Sequence, residues 1–246
     1  EGESSETIEN QYRLFHERAL PDLAANIKCG NSLIGPDFFD TVVTCHCEEA
    51  EGRRGNLEDL RDKINAFDWH AEFPAIFNGK NPGFDVIIGN PPYIPIETMT
   101  EPERQYFRTH FSQLERKYDS SIVFVLSMLD KLDANGRLGF ISSVTWQTGE
   151  NYRKFRQYVF EHAGIDTLLN LPFDVFKKAY VDTGVYILSR KPTATYLVYR
   201  FPKKEQQPSV EGVTYAEVPL SSISPPEYKI VFEPNAQAML QRFATD

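Results

Sequence analysis

An α/β fold is what this chain predicts, on three observations. Strand-like and helix-like segments alternate from residue 84 to residue 189, which argues for a mainly parallel sheet with helices on both sides. Phe84-Asp85-Val86-Ile87-Ile88-Gly89 is a short apolar run, the pattern of a strand covered on both faces. It stops at Asn90-Pro91-Pro92-Tyr93, a compact polar tetrapeptide placed where open α/β sheets carry their chemistry.

Residues 6–20 suit a helix stopped by Pro21, and Ala25 to Cys29 a short strand closed by Gly30-Asn31-Ser32. Residues 40–56 are acidic and patternless, so they read as a loop, and Leu57 to Phe67 as a helix with Leu60 and Ile64 on one face. Glu101 to Phe111 is amphipathic and helical. Ser120 or Ser121 can cap the next helix, expected to run to about Asp133. Its apolar residues, from Ile122 to Leu132, cover most of the circumference and predict deep burial. Ala134-Asn135-Gly136 supplies its stop, through a left-handed Gly136. Leu138 to Ser142 then reads as a strand, and Glu150 to His162 as a helix with Tyr152, Phe155 and Val159 inward. Ile165 to Leu171, Val185 to Ser189 and Tyr196 to Phe201 complete the strands. After about residue 192 proline and serine rise and apolar runs shorten, which places a boundary between residues 1–192 and 193–246.

The 246 residues can bury one large core, and no apolar run reaches the eighteen residues of a membrane span. Three cysteines, Cys29, Cys45 and Cys47, fit a reducing cytoplasmic setting better than a disulfide scaffold. A net charge of −9 argues against nucleic acid as a partner until its distribution is read. Residues 1–72 hold 16 acids and 7 bases, the whole excess, and residues 73–246 hold 19 of each. Basic clusters there (Arg153, Lys154 and Arg156; Lys177 and Lys178; Arg190 and Lys191; Lys203 and Lys204) permit phosphate contacts. Cys45-His46-Cys47 is spaced too tightly for a structural zinc site, so no metal is expected. His16, His110 and His162 read as surface or satisfied core residues. Trp146 and Tyr152 suit either a cleft or packing under a loop.

The chemistry of the tetrapeptide follows from its residue types. Pro91 and Pro92 fix φ and remove two N–H donors, so the Pro91 carbonyl points from a stiff turn. The Asn90 side-chain oxygen is a second acceptor. Two fixed acceptors match the two hydrogens of an exocyclic NH₂, and Tyr93 offers a flat face to the ring that carries it. Accepting both hydrogens keeps the nitrogen lone pair out of the ring. The amine becomes nucleophilic without a general base, towards an electrophile such as a sulfonium methyl, with orientation and fixed dipoles as the source of rate.

Phe84 to Tyr93 resembles the catalytic motif of S-adenosylmethionine-dependent methyltransferases that act on adenine N6 in DNA. Ile27-Lys28-Cys29-Gly30-Asn31-Ser32-Leu33 resembles the segment that meets the cofactor's adenine in restriction–modification methyltransferases. Lys117-Tyr118-Asp119 with the buried helix, then Asn135 to Ile141, resembles the block after the catalytic motif. Val175-Phe176 through Thr183-Gly184-Val185 resembles the late block near the flipped base. The resemblance covers Asn26 to Arg190 and is closest to the methyltransferase part of type IIG restriction enzymes.

It implies a partial Rossmann-like methyltransferase sheet with its first strands missing, followed from residue 193 by a linker and the start of a target-recognition region. It implies that Asn90 and the Pro91 carbonyl bind the target amino group and Pro92 packs towards the cofactor. Tyr93 stacks on the extruded adenine and Phe176 touches its other side. Asn31, with Ser32, meets the cofactor's adenine; many members carry Asp at the position of Asn31. The partner implied is double-stranded DNA, with the target base flipped out of the helix at a cost of about a few kcal/mol. The family's glycine-rich cofactor loop has no counterpart here, since no two glycines are separated by one residue. Weak or absent binding of S-adenosylmethionine by this chain alone is therefore the expectation. No Pro-Asp…Glu-x-Lys nuclease arrangement is evident. Two other functions share the features: a protein glutamine N5-methyltransferase, whose substrate also presents a planar NH₂, and a non-catalytic DNA-binding module with a vestigial site.

Overall fold

The computed structural model describes residues 26–40, 61–173, 175, 181–205 and 208–233. Two short helices, α1 (Trp69–Glu72) and α2 (Pro74–Phe77), precede strand β1 (Phe84–Gly89). Helices α3 (Glu101–His110) and α4 (Ser120–Leu129) lead into the long β2 (Leu132–Ser143). Then come α5 (Arg153–His162), β3 (Gly164–Asn170), β4 (Thr183–Ser189), β5 (Thr195–Arg200) and β6 (Ala216–Pro219). The six strands form one sheet in the order β1-β2-β4-β3-β5-β6.

β1 pairs parallel with β2 and β3 parallel with β5, while β4 lies antiparallel between β2 and β3, and β6 antiparallel beside β5. Four strands therefore run the same way and end on one rim, at Gly89, Ser143, Asn170 and Arg200, and β4 starts on that rim at Thr183. The expected mainly parallel sheet is a mixed one: two neighbouring pairs are parallel and three antiparallel. The sheet also continues past the division expected at residues 192 and 193, because β5 and β6 extend it.

Alternation along the strands sends one set of side chains into the core. Leu138 and Phe140 of β2, Tyr186 and Leu188 of β4, Ile165 and Leu168 of β3, Tyr196 and Val198 of β5 and Val218 of β6 are buried together. Ile122, Val125, Leu126 and Leu129 of α4 and Phe155 and Val159 of α5 belong to the same cluster, as the periodicity of both helices predicts. The opposite set is open. Val86 and Ile88 of β1 are 61% and 81% exposed, and Ile187 and Leu197 are exposed beside them in the sheet. The expectation that β1 is covered on both faces fails among the described residues, since its apolar run lies at the sheet's edge with one face open.

Four local readings also change. Asp119, not Ser120 or Ser121, caps α4, accepting from the Ser121 N–H. The helix ends at Leu129, and Asn135-Gly136 lies inside β2 rather than at a helix stop. Gly136 is required there by close approach: a Cβ would stand 2.7 Å from the Phe84 carbonyl, at the irregular register between β1 and β2. Residues 26–29 form no strand, although Asn31 makes an isolated parallel bridge to Ala66. The expected helix over 57–67 is helical at 61–64 and is over by Asn65, at φ 47°. The readings over 6–20 and 41–56, with His16, Cys45, His46 and Cys47, lie outside the described residues.

Candidate active site

The tetrapeptide leaves β1 on the shared rim, beside Ile141 of β2. Asn90 and Pro92 are exposed, Pro91 is buried and Tyr93 is half-buried. The Tyr93 hydroxyl lies 3.0 Å from Asn90 Oδ1 and 3.2 Å from the Ile141 carbonyl. Its single proton is shared between them, which ties the ring to the amide it follows. The Asn90 oxygen keeps a second lone pair.

Helix α4 holds the corner from below. Ser120 Oγ donates to the Pro92 carbonyl at 2.5 Å and accepts from the Ile94 N–H at 3.1 Å. The Ser120 N–H donates to the Ile94 carbonyl at 2.9 Å and the Ile96 N–H to the Tyr118 carbonyl at 3.0 Å. Of the tetrapeptide's carbonyls, that of Pro92 takes the bond from Ser120 Oγ, and that of Pro91 receives none among the described residues. Asn90 Oδ1, with its second lone pair, and this carbonyl remain as acceptors at the corner.

Burial holds the phenols around the corner neutral. Burial, then the nearby Asp119 carboxylate, raises the Tyr93 phenol above its ordinary value. Burial, then Asp119 and Glu97, pushes Tyr152 up to about 12, and burial raises Tyr186. All three are neutral near pH 7. The Asp119 carboxyl is itself raised by burial, against the lowering effect of its hydrogen bonds to Ser121. Beneath the corner, Ser142 Oγ and the Tyr186 hydroxyl are buried close to one another and find no other hydrogen-bond partner among the described residues.

The other expected site residues are placed unevenly. Asn31 Oδ1 accepts from the Leu33 N–H at 3.2 Å, the Asn31 N–H donates to the Asn65 carbonyl at 2.7 Å, and the Ser32 carbonyl accepts from Trp69 Nε1 at 3.0 Å. A cavity of about 300 Å³ opens beside Ser32, lined by Phe67, Trp69, Tyr106, His110 and Lys131 among others. Neither Asn90 nor Tyr93 lines it, and no hydrogen bond among the described residues joins Asn31 to the tetrapeptide. Phe176 lies outside the described residues. Its neighbour Val175 is exposed on the connection from β3 to β4, which leaves and re-enters the sheet on the tetrapeptide's rim.

Several residues singled out for contact chemistry are committed elsewhere. Arg156, fully buried, donates to the carbonyls of Trp146, Gly149 and Glu227. Arg190 bonds the Leu129 carbonyl and Asp130, and Lys191 bonds Asn135. Trp146, 1% exposed, packs edge-on against Phe155 and Tyr186 and lines no cleft. His110, read from the sequence as a surface or satisfied core residue, uses both ring nitrogens, on Asp37 and on the Tyr106 carbonyl. Ser120 was missed as a site residue. The sequence marks it only as a helix start, and its partner Pro92 is 28 positions away.

The chain thus presents a mixed α/β sheet with a polar corner on its carboxyl rim. Residues 6–176 match the Eco57I restriction-modification methylase family, and the chain belongs to that family. RM.MjaORFECS2P of Methanocaldococcus jannaschii is 35% identical over 167 residues, 67% of this chain and 14% of that protein. The type II restriction enzyme and methyltransferase RM.Eco57I of Escherichia coli is 28% identical over 203 residues, 81% of this chain and 17% of that protein. The chain thus spans less than a fifth of the length of these two relatives. Among solved structures, the type I restriction-modification methyltransferase subunit from Streptococcus thermophilus aligns with a TM-score of 0.45 at 18% identity, over 74% of this chain and 35% of that one. No helix among the described residues is long and apolar enough to cross a membrane.

Proposed function

We propose that this chain carries the target-amine half of a DNA methyltransferase that moves a methyl group from S-adenosylmethionine to the N6 of adenine. The observation that carries the reading is the Asn90–Tyr93 corner. Two acceptors, Asn90 Oδ1 and the Pro91 carbonyl, stand at the lip of the sheet beside an aromatic ring fixed by its own hydroxyl. Asn90 and Pro91 accept the two amino hydrogens, and the Tyr93 ring, with Phe176 opposite, clamps the flipped base. Every nearby phenol is held neutral, so the rate comes from position and fixed dipoles rather than from proton removal.

When bound, S-adenosylmethionine supplies the methyl group from its sulfonium centre. Asn31 and Ser32 offer polar groups suited to the adenine end of that cofactor, and the chain has no glycine pair for its methionine end. This chain alone therefore binds the cofactor weakly or not at all. Because β5 and β6 extend the sheet, we place the start of the recognition region after β6 rather than at residue 193.

The test is product analysis. The complete protein is incubated with tritiated S-adenosylmethionine and, in parallel reactions, unmethylated bacteriophage DNA or a release factor. The DNA is digested and its nucleosides resolved, and the release factor is counted for protein-bound label. N6-methyl-2′-deoxyadenosine carrying the label is the expected product. Label on cytosine would overturn the adenine assignment. Label on a release-factor glutamine, with none on DNA, would favour the protein N5-methyltransferase.

A further inference from the structure

The two prolines make the corner stiff but also deprive it of self-bracing. Pro91 and Pro92 have no N–H, so the turn cannot tie itself with its own backbone donors at those positions. The structure shows where the missing brace comes from. Ser120, 3% exposed at the first turn of α4, spends one hydroxyl on both flanks of Tyr93, donating to the Pro92 carbonyl before it and accepting from the Ile94 N–H after it. The neighbouring backbone repeats the link, through Ser120 N–H to Ile94 and Ile96 N–H to Tyr118, and Pro95 forms an antiparallel bridge with Asp119. Residues 92–96 are thereby laid along 118–120, and Asp119 pins that segment to the helix through the Ser121 N–H.

We infer that Ser120 is a positioning residue for methyl transfer: its hydroxyl sets the plane of Tyr93 and, by occupying the Pro92 carbonyl, leaves Pro91 as the acceptor for the amine. This rests on the proposed function and adds a role that touches neither substrate nor cofactor. The hydroxyl performs both tasks at once because a serine oxygen donates one hydrogen and accepts on its lone pairs. Without it, the Pro92 carbonyl becomes a second acceptor beside the correct one, and the ring of Tyr93 gains freedom to swing. A misplacement of about 1 Å at a reacting group costs on the order of 100-fold in rate, so a loosened corner shows in turnover before it shows in binding.

The experiment compares Ser120→Ala, Ser120→Thr and Ser120→Cys in the complete protein, with Asn90→Ala as the reference. The assay is tritium transfer to unmethylated bacteriophage DNA, well below each variant's melting temperature. Ser120→Ala is expected to lower kcat by about 10- to 100-fold while KM for S-adenosylmethionine and for DNA changes less than about threefold. Ser120→Thr, which keeps the hydroxyl, is expected to restore kcat to within about threefold of the parent. Ser120→Cys keeps the volume with a weaker donor and falls between the two. If the alanine variant does not fold, the cysteine variant supplies the same reading. A parental kcat in the alanine or cysteine variant overturns the inference, as does a threonine variant as slow as alanine, or a loss confined to KM. An Asn90→Ala protein with full activity defeats the proposed function itself, whatever Ser120 does.

Discussion

The two faces of this sheet are built from similar residues and have opposite surroundings. On one face Leu138, Phe140, Ile165, Leu168, Tyr186 and Leu188 close against α4 and α5. On the other, Val86, Ile88, Ile187 and Leu197 stand exposed among the described residues. Burial of a large aliphatic side chain is worth about 1.5–3 kcal/mol, so an Ile that is 81% exposed forgoes most of what its neighbour across the strand gains. The difference teaches that hydrophobicity alone did not locate the core. Alternation and pairing register did, because β1 places Ile87 beside Leu138 on the covered side and Ile88 beside Gly139 on the open one.

The corner sits at the end of an exposed edge strand, yet it is tied at several points. Its support comes from α4, through Ser120 and Asp119, rather than from the strand that leads into it. Three substitutions separate these contributions. Leu138→Ala, on the covered face, should lower the free energy of urea unfolding by about 2–5 kcal/mol. A loss below about 1 kcal/mol would show that this face is not the core.

Asp119→Asn should act through pH. Burial raises the folded-state pKa of this carboxyl above its ordinary value of 3.8, so its charged form is penalised in the folded chain. That penalty is complete at neutral pH and is lost as pH falls through the raised folded value towards 3.8. The stability of the parent relative to Asp119→Asn should therefore rise as the solution is acidified across that window. A difference in melting temperature that stays flat, or shrinks, with falling pH would contradict the assignment. Ile88→Thr, on the open face, should change stability by less than about 0.5 kcal/mol. A cost of 2 kcal/mol would mean that this face is covered after all.

Much of the architecture was legible in the sequence. β1 has the bounds its apolar run announced, α3 carries the capping box of Thr100 and Glu103, and α4 is buried on nearly every side as its composition required. What was not legible depends on partners distant in sequence. Asn135-Gly136 carries every local sign of a helix stop, but it pairs near Phe84, fifty residues earlier, and becomes strand. β6 has four residues and no alternation long enough to notice, and it exists because β5 offers it an edge. The basic run at 153–156 suggested a surface, whereas Arg156 is consumed by three carbonyls.

For the candidate site the division is similar. Asn90, Pro91, Pro92 and Tyr93 were readable as a unit because the chemistry is packed into four consecutive residues. Asn31 and Ser32 were named from resemblance, and the contacts seen tie them to Asn65, Ala66 and Trp69 rather than to the tetrapeptide. Ser120 could not be read at all, since nothing local to a helix start reports a turn 28 residues upstream.

The central claim, that Asn90 and its proline neighbour hold the reacting amine, is tested most directly by the single-turnover rate of methyl transfer for Asn90→Ala in the complete protein, with S-adenosylmethionine and DNA both saturating. Removing one of two fixed acceptors should slow transfer by about 10²–10³-fold. A rate equal to that of the parent protein would contradict the account.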